Sequence, residues 1–114
     1  MNWIPLVKED QLSVIKEKSK QTPQVIFKHS TRCSISSVAK SRLEKSTPPT
    51  NIDFYFLDLI AHRKLSDAVA RTFNVYHESP QILLISNGEC VYDESHMGIS
   101  MREISEQVEQ QMQK

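Results

Sequence analysis

Cysteine is scarce in this 114-residue chain, and that scarcity is the first constraint on it. Cys33 and Cys90 stand far apart and are its only two thiols, which excludes a disulfide-stapled secreted scaffold and leaves reduced cysteines as the expectation. Charge of one sign is lacking as well, since 14 basic side chains balance 14 acidic ones. With a formal net charge of zero there is no global field to recruit nucleic acid or an anionic membrane, and no basic cluster of the kind a nucleic-acid binder shows. No apolar run approaches the roughly 20 residues needed to span a bilayer. Met1-Asn2-Trp3-Ile4-Pro5 lacks the basic start and apolar core of a signal peptide, so the cytosol (a cytoplasmic location) is the expected compartment. What is present is an ordinary globular balance, 39% hydrophobic and 25% charged, long enough for one domain over residues 1–114 with a single core.

The apolar periodicity orders that domain. Trp3-Ile4-Pro5-Leu6 reads as a short edge strand, where proline is tolerated. Lys8 to Lys18 reads as a surface helix with Leu12 and Ile15 on a narrow stripe. Thr22-Pro23 breaks it, and Gln24 to Lys28 follows as a strand whose unbroken Val-Ile-Phe run predicts burial on both faces. Ile35, Val38, Ala39 and Leu43 fall on one face of the next helix, with Ser30 or Thr31 as N-cap and Pro48-Pro49 as its stop. Ile52 to Leu59 is an aromatic-rich strand, and Leu65, Ala68, Val69 and Phe73 mark a helix ending near Asn74. Ser79-Pro80 then leads into the strand Gln81 to Ser86. Asn87-Gly88 is a strong hairpin signal, and Glu89 to Asp93 is the returning strand. Ser100-Met101-Arg102-Glu103 is a capping box opening a last helix with Met101, Ile104 and Val108 on one face. The order β-α-β-α-β-α-β-β-α predicts an α/β fold, a mixed sheet of four or five strands with helices on both faces.

Cys33 is the residue with chemistry to offer. It falls at a strand-to-helix junction, where unpaired N–H groups and the positive end of the helix dipole favour an anion. Two readings fit that position: a reactive thiolate, or a small cysteine packed at a helix start. Arg32 beside it, with Lys28 and His29 nearby in sequence, adds local positive charge, although strand alternation sends Lys28 and His29 to opposite faces. Cys90 lies beside the hairpin turn. Five intervening residues at ~3.3 Å each place it on the order of 15 Å from Cys33, whereas a disulfide needs Cα atoms within about 7 Å. Cys90 is therefore read as a packed strand residue. His29, His62, His77 and His96 are scattered without zinc spacing, so no metal site is expected.

A βαβ unit with a cysteine at its central junction, followed by a ββα unit entered through X-Pro, resembles the thioredoxin fold. The segment Lys28-His29-Ser30-Thr31-Arg32-Cys33-Ser34-Ile35-Ser36 is similar to the KHS-T-x-C-x-I-S text of the monothiol bacilliredoxins, the YtxJ family of the bacillithiol system. The resemblance runs over essentially the whole chain, through Ser79-Pro80-Gln81 and the hairpin. It implies a cis Ser79–Pro80 bond facing Cys33 across the active site. It also implies a monothiol oxidoreductase that removes bacillithiol, a glucosamine-linked thiol, from protein mixed disulfides. Bacillithiol is then a thiol co-substrate rather than a tightly bound cofactor, and bacillithiolated client proteins are the partners of a chain expected to act as a monomer.

Within that resemblance Cys33 is the nucleophile, and Ser36 stands where a dithiol enzyme has its second cysteine. Serine cannot attack sulfur usefully, so the chemistry left to Cys33 uses one thiol and a resolving thiol from outside. Ser36 and Arg32 are candidate catalytic partners: Ser36 can hydrogen-bond the thiolate from one helical turn on, or be a helix-surface serine without a role. Thr31, His29, Ser79, Pro80 and His96 are candidate substrate-binding residues. Ser79 is expected to offer its backbone N–H and C=O in strand-addition fashion. The hairpin returns Asp93 to Gly98 to the Cys33 end, where Ser95, His96 and Gly98 can meet the malate or sugar of bacillithiol, or form an ordinary loop. The cluster-bridging CGFS text of some monothiol glutaredoxins is missing. The alternative function is a thioredoxin-fold adaptor or redox sensor, bacillithiolated at Cys33 without turnover.

Overall fold

The apolar runs and their breakers become alternating strands and helices in a computed structural model that describes residues 1–113. In chain order these are β1 (Trp3–Pro5), α1 (Gln11–Lys18), β2 (Gln24–His29), α2 (Ser34–Lys45), β3 (Asp53–Asp58) and α3 (Arg63–Phe73). The hairpin β4 (Gln81–Ser86) and β5 (Glu89–Ser95) follows, then a 3₁₀ turn (His96–Gly98) and α4 (Met101–Met112). The five-stranded sheet runs β1-β3-β2-β4-β5. β2 lies at its centre, parallel to β3 and antiparallel to β4. Every residue of β2 and of β4 is buried, as strands covered on both faces should be.

Side-chain alternation sorts the core into two layers. Leu6, Ile26, Leu57, Leu83 and Ile85 pack with α1 and α3, while Val25, Phe27, Phe54, Ile82 and Leu84 pack with α2 and α4. Local chemistry sets the boundaries. Asn74 closes α3 in the left-handed conformation at φ 55, which asparagine tolerates. Asn87 and Gly88 both take positive φ, 52 and 79, as a two-residue primed turn demands. Ser19, at the end of α1, holds that turn: its carbonyl accepts from Asn87 N–H at 2.9 Å and its hydroxyl from Gly88 N–H at 2.8 Å. Ser100 caps α4 by accepting from the Glu103 N–H at 3.2 Å.

Several expectations are corrected. α1 begins at Gln11 rather than Lys8; the chain turns at Glu9 and Asp10, and Gln11 Oε1 accepts from the N–H groups of both Val7 and Lys8. β5 runs two residues beyond Asp93, to Ser95. Neither Ser30 nor Thr31 caps α2, because Cys33 is the N-cap residue itself. The buried face of α2 is Ser36, Ala39 and Leu43, while Ile35 and Val38 are 41% and 46% exposed. The apolar stripe is wider than the contact. Ser36 takes the buried position because its hydroxyl is fully hydrogen-bonded there.

A lysine runs against the apolar grain of the sheet. Lys28 is fully buried on the α3 side, with Nζ 3.2 Å from the Ser66 carbonyl and 3.3 Å from His77 Nδ1. Burial lowers its pKa to about 8, with Asp67 opposing in part. The folded state therefore binds this proton less tightly than the unfolded state does. Its contribution is most favourable above the ordinary value of 10.5 and is lost as pH falls through about 8. The stability of wild type relative to Lys28→Met should accordingly rise between pH 8 and 10.5 in urea titrations; a flat difference would contradict a desolvated lysine.

Candidate active site

The strand–helix junction after β2 is organised by a hydroxyl. Ser36 Oγ, with no solvent exposure, accepts the Ser30 N–H at 3.0 Å and lies 2.7 Å from His29 Nδ1. Burial, and then the charge of Lys40, lower the His29 pKa, so the imidazole is neutral near pH 7. The serine proton is then available to Nδ1, which leaves the imidazole proton on Nε2. The expected Ser36–thiolate hydrogen bond is thereby corrected. Ser36 is instead a tie between the end of β2 and the first turn of α2, and its oxygen is occupied by His29 and Ser30.

That tie sets Cys33 at the N-cap of α2 with extended backbone angles, partly exposed and in the free thiol form. Its carbonyl accepts from Ser37 N–H at 3.1 Å and its N–H donates to the Ser30 carbonyl at 3.2 Å. Thr31 and Arg32 are exposed. Arg32 makes a backbone contact to the Ser30 hydroxyl at 3.4 Å, and among the described residues its guanidinium has no hydrogen bond or ion pair.

The sheet register gathers the other candidates. Lys28 pairs with Gln81 and Gln81 with Ser95, so one further step along both ladders sets His29, Pro80 and His96 in a row. Asp58 flanks His29 on β3. The Ser79–Pro80 peptide bond is cis, and the Pro80 carbonyl accepts the His96 N–H at 3.0 Å. His96 itself is exposed and sits at φ 56, a left-handed conformation for a non-glycine residue. Ser79 Oγ is buried without a partner. His29, by contrast, is 6% exposed and lies among Phe27, Phe56 and Ser36. Its outlet is a groove of about 410 Å³ shared with Thr31, Ser37, Lys40, Phe56 and Asp58. Sequence reasoning missed Lys40 and Glu44, which line this groove, and Trp3, which joins them: Glu44 accepts from Lys40 at 2.9 Å and from the Trp3 indole at 2.8 Å. Lys40 and Glu44 are an i,i+4 pair on α2, and only tertiary packing brings the Trp3 indole to them.

Cys90 belongs elsewhere. It pairs with Ile85 near the hairpin turn, at the end of the sheet away from Cys33, and lines a concavity of about 960 Å³ with Lys16, Phe73 and Gly88. Burial, reinforced by Asp93, pushes its thiol up to about 11. Among the described residues no group of His, Cys, Asp and Glu is arranged to hold a metal ion, and no helix is long and apolar enough to cross a membrane.

Fold and site together define a class: a thioredoxin-fold protein with one thiol at the helix N-cap following its central strand. A family model described as monothiol bacilliredoxin BrxC matches residues 4–104, and the chain belongs to that family. A solved structure described as a proposed oxidoreductase with a thioredoxin fold is 34% identical, with a TM-score of 0.79 and 90% of each chain covered. Two thioredoxins share the fold at 17% identity. That of Malassezia sympodialis has a TM-score of 0.73, covering 96% of this chain and 90% of its own. Thioredoxin f2 of Chlamydomonas reinhardtii has a TM-score of 0.71, covering 96% and 95%.

Two outcomes follow from this geometry. Iodoacetamide at pH 7 should label the native chain once, at Cys33, with Cys90 reacting only near pH 11 or after unfolding; peptide mapping showing native Cys90 labelled at pH 7 would contradict its burial. Ser36→Ala strands His29 Nδ1 and the Ser30 N–H, so it should cost about 2 kcal/mol in urea unfolding, and a loss below about 0.5 kcal/mol would mean those bonds are replaceable.

Proposed function

We propose that this protein is a monothiol thiol–disulfide oxidoreductase that removes bacillithiol from protein mixed disulfides. One observation carries the reading: a partly exposed thiol at a helix N-cap, with a fully buried and internally bonded hydroxyl where a second thiol would stand. Cys33 at the N-cap of α2 reacts through its thiolate, the nucleophilic form of a cysteine. That thiolate attacks the bacillithiol sulfur of the client mixed disulfide, the client cysteine leaves as its thiolate, and a Cys33–bacillithiol disulfide forms. A second thiol then takes the bacillithiol and restores Cys33. Ser36 cannot substitute for that thiol, and Cys90, at the far end of the sheet, is remote from the exchange.

The remaining assignments follow from position. The Ser79 peptide beside cis-Pro80 offers its backbone to the peptide-like part of the substrate, and His96, held by its bond to Pro80, borders the same surface. Thr31 and Arg32 are exposed beside the thiol, Arg32 with a free guanidinium suited to carboxylates. His29 contributes from beneath, through Ser36, rather than by surface contact. Bacillithiol is the co-substrate, the partners are bacillithiolated client proteins, and the chain works as a monomer in the cytosol.

Intact-mass analysis after mixing reduced protein with a bacillithiol-modified client tests this. Wild type and Cys90→Ala should gain one bacillithiol adduct and Cys33→Ala none, and excess thiol should then support repeated turnover. Transfer to Cys33→Ala, or none to wild type, would refute the reductase; a single adduct that never turns over would mark a sensor instead.

A further inference from the structure

Lys28 and Gln81 are polar residues in two largely apolar, buried strands, 0% and 1% exposed, and they are cross-strand partners. Burying a charge and an amide is costly unless their hydrogen bonds are met. Both side chains meet them on the same short segment. Lys28 Nζ lies 3.3 Å from His77 Nδ1, which can accept because partial desolvation of the ring, and then Lys28 itself, lower the His77 pKa and favour the neutral ring. Gln81 donates from Nε2 to the Tyr76 carbonyl at 2.9 Å and accepts the Glu78 N–H on Oε1 at 3.4 Å. Ser66 on α3 closes the arrangement, its carbonyl 3.2 Å from Nζ and its hydroxyl 3.3 Å from His77 Nδ1.

The segment has no other anchor of comparable kind. Tyr76 is 95% exposed, His77 is exposed, and Glu78 and Ser79 are at most partly buried, so no apolar side chain between Val75 and Pro80 holds it down. Its pose therefore depends on polar bonds from β2 and β4. We propose that Lys28 and Gln81 are positioning residues that hold Tyr76–Glu78, and through it the Ser79 peptide, in the pose that receives the peptide-like portion of the substrate. This rests on the bacillithiol-transfer reading above. Neither residue touches the reacting sulfurs; they act through Ser79.

The test uses the full-length chain as Lys28→Met, His77→Ala and the double variant. Met fills the space of the lysine stem, and His77 lies at the surface, so the variants keep the core. Amide hydrogen exchange at residues 76–79 should speed up by about tenfold in each variant while β2 and β4 stay protected. With a bacillithiolated client protein as substrate, KM should rise about tenfold with kcat within twofold. The double variant should lose less than the product of the two single losses, because Lys28 and His77 share a bond although each also contacts Ser66. Labelling of Cys33 by iodoacetamide, which needs no Ser79 peptide, should be unchanged. Unaltered exchange at 76–79 would overturn the clamp. Faster exchange with an unchanged KM, or losses that multiply in the double variant, would overturn the positioning role. If wild type takes no adduct at all, the reaction assigned above fails while the exchange data still decide the clamp.

Discussion

The buried hydroxyl of Ser36 is the interaction on which the active end depends. It joins the last residue of the central strand, the turn after it and the first turn of α2 through two hydrogen bonds at 2.7 and 3.0 Å. A hydroxyl is well suited to this, since it can accept one bond and donate another. With that joint closed, Cys33 has one place to be: at the N-cap, its backbone bonded to Ser30 and Ser37 and its side chain partly exposed. The position that would supply a second thiol is thus spent on architecture, and one-thiol chemistry follows from the same atoms that hold the helix to the sheet.

The sheet converts this local joint into a surface. Because β2 pairs parallel with β3 and antiparallel with β4, the strand ends bearing Asp58 and His29 meet the strand start after Pro80, and the hairpin brings His96 alongside. Alternation along β2 then divides labour between the faces. His29 points toward α2 and the Ser36 joint, while Lys28 points toward α3 and the loop that carries Ser79. Adjacent residues of one strand thus support the Cys33 turn and the segment before Pro80 separately. Cys90, at the opposite end, is kept as a thiol by burial and Asp93.

Much of the fold was legible because its signals are local. Periodicity found the strands and helices, Asn87-Gly88 found the hairpin, and Ser100 to Glu103 found the start of α4, each through backbone preferences that neighbours in sequence impose. The α2 face was misread for a physical reason: Ile35 and Val38 share the apolar arc with Ala39 and Leu43, and hydropathy cannot see that a hydrogen-bonded serine fits the interior better. Neither sequence reading of Ser36, a bond to the thiolate or an idle surface serine, finds its partner, since His29 is seven residues away and across the junction. Lys28 carried a visible signal, a charge at the end of a strand otherwise fit for a core, but its partners His77 and Ser66 lie 49 and 38 residues on.

The sequence by itself determined the α/β order, the place of Cys33 at a strand–helix junction, the lack of a nearby second thiol and the likeness to the monothiol bacilliredoxins. These rest on residue identity and short-range spacing, which folding does not alter. Tertiary structure decided where each polar hydrogen goes. Ser36 bonds to His29 rather than to sulfur, Lys28 and Gln81 hydrogen-bond the segment before Pro80, and Arg32 is exposed next to Cys33. Most buried donors and acceptors take a partner where the packed chain offers one, and for Ser36 and Lys28 that partner is set by which strands and helices meet.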